Sequence, residues 1–102
     1  SRVAHDVQAF DCKLIGPVII GRGCRIRNAQ LGPYVCVGNN SVIEDSAVED
    51  SIIADRCVLR GVRKLYHSVL DSEVVIEGDG EPTAVSLTAG QRTRLRMGAT
   101  EG

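Results

Sequence analysis

Aliphatic residues recur along the chain every five or six positions: Val3, Ala9, Leu14, Ile20, Ile26, Leu31, Val37, Ile43, Val48, Ile53, Leu59, Leu65, Leu70 and Ile76. Such a spacing matches neither the 3.6-residue period of a helix nor the two-residue period of an isolated strand. Members three apart in this ladder are separated by 17 residues, or by 16 between Val37 and Ile53 and between Ile43 and Leu59. Three short strands therefore make one coil, and successive coils place aliphatic side chains above one another. Self-similarity of this kind marks a solenoid. A second pattern runs in phase with the first. Four residues after the ladder members that begin six-residue steps stand Val7, Val18, Cys24, Val35, Ser41, Cys57 and Val74. All are small, as required where a second side chain turns into a narrow interior; the remaining six-residue step, Leu59 to Leu65, offers only Gly61 with the basic Arg60, Arg63 and Lys64 and is the least regular side.

Turn chemistry agrees with this register. Gly16-Pro17, Gly21, Gly23, Gly32-Pro33, Gly38-Asn39-Asn40, Asp45, Asp50 and Gly61 follow ladder residues closely, where the chain must bend and positive φ is useful. No window among these β-branched residues shows a 3.6-residue apolar period of ordinary helix length. Glu77-Gly78-Asp79-Gly80-Glu81-Pro82 breaks the repeat. Beyond it, Ala84 to Thr88 and Arg92 to Met97 alternate polar and apolar residues around Ala89-Gly90-Gln91, which reads as a β-hairpin. The expected organisation is a β-helix over residues 1–77, of between four and five coils, closed by a turn and β-hairpin cap over residues 78–102. At the other end Val3, Ala9, Phe10 and Leu14 have no visible cap. That surface is expected to meet another domain or another chain, and since the chain opens at Ser1, already inside the repeat, removal of a preceding domain or leader is expected.

Composition narrows the function classes. The 102 residues carry a formal net charge of -1, with 12 Lys and Arg against 13 Asp and Glu. Nucleic-acid binders concentrate excess cations on one surface, and no such excess exists here. No run of about 18 apolar residues occurs, so neither membrane insertion nor a signal segment is expected, and a cytoplasmic location is the default. The four cysteines, Cys12, Cys24, Cys36 and Cys57, lack the close pairing of metal or redox motifs. Cys24 and Cys57 share one inward column with a coil between them. At about 4.8 Å per coil they stand roughly 9 to 10 Å apart, beyond disulfide reach of about 7 Å. They are expected to be reduced core residues.

The ladder, the small inward residue and the glycine after the aliphatic (Ile20-Gly21, Leu31-Gly32, Val37-Gly38) together resemble the hexapeptide repeat of left-handed parallel β-helices. The all-β, single-stranded left-handed helix is thus an implication of the resemblance, since general rules favour right-handed crossovers. The run from Gly16 to Asn28, with Leu31-Gly32-Pro33-Tyr34 and Ser51-Ile52-Ile53, is similar to the C-terminal domain of long-form sugar nucleotidyltransferases of the glucose-1-phosphate thymidylyltransferase type. In that family nucleotidyl transfer resides in an N-terminal Rossmann-like domain with a Gly-rich loop and acidic residues for Mg²⁺. This sequence has no segment onto which those residues map, so the resemblance implies no catalytic role for this chain alone. It implies association, commonly as trimers, and a nucleotidyltransferase domain or separate catalytic chain as a further partner.

Two function classes follow. The first is a structural, self-associating domain that needs no cofactor or metal. The alternative is an acyltransferase taking acetyl groups from acetyl-coenzyme A to a sugar or amine, with a histidine as general base between subunits. Its only candidates are His67 and His5, which fall in different corner columns. Hexapeptide-type metal enzymes use three His around Zn²⁺, and two histidines on different corners do not supply them. Within the helix, truncating Ile43 is expected to be costly, and Val42 and Val58, beside the ladder, are the expected association positions.

Overall fold

The structure, a computed structural model, describes residues 1–97. Those residues form an all-β, left-handed parallel solenoid of about six turns with no helix. Its first face stacks Arg2–Val3, Val18–Ile20, Val35–Val37, Ser51–Ile53, Val69–Leu70 and Thr88–Ala89. The second and third faces begin as one continuous strand in each of the first two coils, Gln8–Leu14 and Arg25–Leu31, which bends at Asp11 (φ 54°) and Asn28 (φ 51°). Higher up the two faces separate. Val42–Glu44, Val58–Arg60, Val75–Glu77 and Arg94–Arg96 continue the second, and Ala47–Glu49, Lys64–Tyr66 and Ala84–Val85 the third.

Every pairing is parallel, and the register follows the aliphatic ladder. Val3 lies opposite Ile20, Ile20 opposite Val37, Val37 opposite Ile53 and Ile53 opposite Leu70. On the second face Ile26, Ile43, Leu59 and Ile76 stack in the same way. The ladder residues from Ile20 to Ile76 are buried, most of them completely. Those of the first coil are not: Val3, Ala9 and Leu14 point inward but have no coil below them, so they stay exposed.

The tail differs from expectation. Residues 84–97 form no hairpin. Ala84–Val85 pairs parallel with Lys64–Tyr66, Thr88–Ala89 with Val69–Leu70, and Arg94–Arg96 with Val75–Glu77. The alternation read as two antiparallel arms belongs to a sixth coil, which also corrects the expected four to five. The period is lost because this coil is longer: Leu70 meets Ala89 and Ile76 meets Leu95, offsets of 19 instead of 17. The extra residues lie in the turn after Glu77. Val85, Leu87 and Met97 pack against the core, while Leu95 remains exposed. Residues 98–102 of the expected cap lie outside the described residues.

The interior holds three columns of small side chains, one per corner. Cys24, Ser41, Cys57 and Val74 form the anticipated one; Val18, Val35, Ser51 and Ser68 form a second, and Cys12, Ala29, Ser46 and Val62 a third. Val62 takes the inward place where the sequence suggested only Gly61 and basic neighbours, and Cys12 is half-buried there. The polar members are fully paired. Cys24 Sγ donates to the Gly38 carbonyl at 2.9 Å, Ser41 Oγ to that of Ala54 at 2.9 Å and Cys57 Sγ to that of Asp71 at 3.1 Å. Ser46, Ser51 and Ser68 donate to the carbonyl two residues back and accept the N–H of Val62, Ser68 and Leu87 one coil on. A hydroxyl that serves two corners at once bears the burial of a polar group without the usual penalty. Among the described residues no buried side-chain polar atom lacks a partner.

At one corner the coils approach so closely that only glycine fits. A Cβ on Gly32, whose φ is +110°, would overlap the Ile15 carbonyl oxygen of the coil below. Elsewhere left-handed backbone is adopted by bulky residues, including Tyr34, Arg56, His67, Glu73 and Arg92. Three of these lock one another in place. Glu73 accepts from Arg56 Nε at 3.2 Å and from Arg92 Nε at 2.9 Å, coil above coil.

Candidate functional site: an apolar face edged by histidine and aspartate

The three outer surfaces carry different chemistry at the position just before each ladder residue. On the second face this column reads Gln8, Arg25, Val42, Val58, Val75 and Arg94, and on the third Lys13, Gln30, Ala47, Lys64 and Ala84. On the first face it reads Arg2, Ile19, Cys36, Ile52, Val69 and Thr88. Four consecutive coils there present an apolar side chain or a thiol to solvent. Ile19 is 51% exposed, Ile52 54% and Val69 45%. Tyr34, 65% exposed, lies at the corner beside them. These residues line a shallow groove of about 490 Å³ whose edge also includes Asp50 and His67.

The edge is built by the corner that leads into the first face. His67 stands one coil above Asp50, and its Nε2 lies 2.9 Å from Asp50 Oδ2. The imidazole packs edge-on to Tyr66, with ring centroids 5.1 Å apart. Both members of the pair are more than half exposed. His5 sits on the opposite corner, in the first coil, so the two histidines considered for general-base work are not brought together. Neither has more than ordinary corner surroundings, apart from the carboxylate beside His67.

The buried thiols lie away from this face. Burial pushes both Cys24 and Cys57 above the ordinary thiol value of 9.0, against the opposing hydrogen bonds from backbone amides. Neutral and unreactive, they act as small core residues. All four cysteines are free thiols. Cys36 is the exposed one and stands in the middle of the apolar column.

The second face is the opposite case. Arg27, Glu44, Arg60, Glu77 and Arg96 stack in register on its outer side, alternating in sign. Glu44 lies 3.8 Å from Arg27 and 3.0 Å from Arg60, and Glu77 3.6 Å from Arg96. Val42 and Val58, the anticipated association positions, are half-buried beside this ladder and offer little free surface. The apolar column on the first face escaped the sequence reading, although its signal was present. Ile19-Ile20, Ile52-Ile53 and Val69-Leu70 are pairs in which the inward aliphatic is preceded by an outward one, and all three fall on a single face.

A second groove, of about 840 Å³, runs along the corner between the second and third faces. It is polar. Asp11, Asn28 and Asp45 stack along it, with Asn28 Nδ2 donating to Asp45 Oδ1 at 2.9 Å, and Lys13 and Arg63 lie at its sides.

Geometry thus defines a parallel β-solenoid with one apolar and one charge-laddered flat face. Comparison with known proteins adds a lineage: the chain is homologous to the C-terminal part of glucose-1-phosphate thymidylyltransferases. It is 30% identical over 96 residues to the enzyme of Streptomyces griseus and 28% identical over 96 residues to that of Streptomyces antibioticus. Each match spans 93% of this chain and 27% of the relative, so the chain covers about a quarter of the length of the enzymes it matches. No family model matches the sequence, and no solved structure matches it. Among the described residues no helix is long and apolar enough to cross a membrane.

Proposed function

We propose that this chain is a structural assembly domain, built on a hexapeptide-type repeat, of a nucleotidyltransferase-like protein whose transfer chemistry resides in a separate domain or chain. The observation that carries the reading is the exposed apolar column of the first face, on a molecule whose second face instead pairs its stacked charges within the chain. An exposed apolar patch backed by a rigid scaffold is the ordinary form of a protein-binding surface. Its partner in this reading is a copy of the same chain, and side-by-side association as a trimer is the form the family resemblance implies. The homology to the C-terminal part of the thymidylyltransferases supports this role, because the matched stretch carries none of the Gly-rich, acidic machinery of nucleotidyl transfer. Four free thiols accord with a cytoplasmic setting.

The alternative, acyl transfer from acetyl-coenzyme A, draws on one feature: an imidazole oriented by a carboxylate at the edge of an apolar groove is a general-base arrangement. His67 with Asp50 is that arrangement here, and His5 has no comparable neighbour among the described ion pairs. One experiment separates the two readings. Solution mass is measured by light scattering, and thermal stability is followed with and without acetyl-coenzyme A and a nucleotide sugar. The assembly reading expects an oligomer indifferent to both ligands. Stabilisation by acetyl-coenzyme A, lost in His67→Ala, would replace it with the acyltransferase reading.

A further inference from the structure

The apolar face has a charge pattern along the solenoid axis as well as a composition, and that pattern bears on how two copies meet. Arg2 and Arg22 stand at its N-terminal end, in the first and second coils. Asp55 and Asp71 stand toward the other end, in the fourth and fifth. Arg22 and Asp55 occupy the same edge, the corner that leaves the face. None of these four has an ion-pair partner among the described residues. Asp55 accepts the Asn39 N–H at 2.8 Å through one carboxylate oxygen, which leaves the other free. On the second face, by contrast, the arginines and glutamates pair along the chain itself.

We propose that the first face is the contact between two copies of this chain packed antiparallel, with the two-fold axis running along the strands through the third coil. The proposal rests on the self-association reading and sets a two-fold contact in place of the trimer the resemblance implies, specifying its face and direction. Two flat faces related by a two-fold axis in their common plane can meet in two ways. If the axis runs along the solenoid, coils meet at equal height and opposite edges face each other. Asp50 and Asp55 flank the same strand, Ser51–Ile53, on opposite edges. That arrangement sets Asp50 of each copy against Asp55 of the other. If the axis runs along the strands, heights invert and like edges meet. The second coil of one copy then faces the fourth coil of its mate, so Arg22 meets Asp55 twice, Ile19 packs on Ile52 twice, and Cys36 and Tyr34 each meet their own equivalent near the axis. Opposite charges replace like charges, which selects the antiparallel pair. A three-fold assembly about an axis along the solenoid keeps the coils at equal height and lacks the Arg22 to Asp55 match.

The face also has the size for a modest contact. With the axis through the third coil, the first five strands of each copy overlap, four steps of about 4.8 Å or about 19 Å in all, and at strand-plus-corner width the pair buries somewhat under about 1,000 Å² in total, the size of a weak, transient contact. The association is therefore reversible and concentration-dependent, and weakened by salt.

The test uses thiol pairing on the 102-residue chain, in a Cys36→Ser background that silences the native central thiol. Ile19→Cys and Ile52→Cys are prepared separately; both positions are exposed, so folding is undisturbed. The two are oxidised with diamide alone and as an equimolar mixture, and the covalent products are resolved by mass. The antiparallel pair predicts a mixed disulfide between positions 19 and 52 in at least fivefold excess over either homodimer. Homodimers of Ile19→Cys or of Ile52→Cys in excess would overturn the antiparallel arrangement while leaving self-association through this face standing. No covalent product, with the unmodified chain monomeric by light scattering, would remove both. As a variant free of introduced thiols, Arg22→Gln and Asp55→Asn are each expected to weaken dimerisation several-fold and to show no further loss when combined. Additive effects would count against their contact.

Discussion

The first and second faces of the solenoid share one interior and one backbone geometry, yet their outer surfaces solve the problem of exposure differently. On the second face, alternating charges one coil apart pair along the stack, and the valines between them are half-buried by their long neighbours. On the first face the same positions carry Ile19, Cys36, Ile52 and Val69, with no long charged side chains to shield them. Burying such a column stabilises by about 25 cal/mol per Å² of apolar area removed from water, whereas the exposed ion pairs of the second face gain little from association and lose hydration. In a solenoid, what makes one face an interface is therefore decided by the residue just outside each ladder position. The ladder itself is indifferent to it.

The largest expected effect tests that shared interior. Ile43→Ala beneath the second face and Ile53→Ala beneath the first remove side chains of 0% and 1% exposure, and each is expected to cost about 2 to 5 kcal/mol in chemical denaturation. A marked inequality between them would show that the faces differ inside as well as outside. Next in size is the polar corner under the first face. Ser51→Ala strips the Ser68 N–H of its buried acceptor, with an expected loss of about 1 to 3 kcal/mol, and Ser51→Thr should recover part of it. Ile52→Arg on the first face is expected to weaken self-association by at least tenfold with an unchanged melting temperature, while Val58→Arg on the second leaves association as it was. The reverse outcome would exchange the roles of the two faces.

Smaller effects belong to the charges. Glu44→Gln removes the shared partner of Arg27 and Arg60, and being partly exposed should cost no more than about 1 kcal/mol, less in high salt. At the corner between the two faces, the Arg92 and Arg56 hydrogen bonds hold Glu73 below the ordinary carboxyl value of 4.5. A depressed folded value means that this group's contribution is fully present above about pH 4.5 and is lost as pH falls through the folded value. Urea midpoints recorded from pH 7 to pH 3 should therefore fall less steeply on the acid side in Glu73→Gln than in the parent.

The stacking order was legible because each ladder residue fills the same role in every coil, so five- and six-residue steps survive even where a coil shortens from 17 to 16. The sixth coil was not. The turn around Glu81-Pro82-Thr83 shifts the offset to 20 and then 19, Ala89 replaces a bulky aliphatic, and short alternating strands of a coil look locally like hairpin arms. Corners were foreseen where Gly, Asn or Asp mark them. The left-handed backbone of Tyr34, Arg56 and His67 at such corners was not, because the cost of about 1 kcal/mol for such a residue is met by hydrogen bonds from neighbouring coils that no local window contains. For the candidate site, His67 and its pairing column with Asp50 were readable from spacing. The apolar column was not recognised, since it emerges only once residues are sorted by face instead of by inward or outward direction.

The account stands most directly on sedimentation equilibrium of the parent chain and of Ile52→Arg, at several concentrations in low salt. It predicts a parent that dissociates reversibly from dimer to monomer on dilution and a variant that is monomeric throughout, with the same β circular dichroism as the parent. A parent that is monomeric at every concentration, or a variant that assembles as the parent does, would contradict the assignment of the first face as the interface.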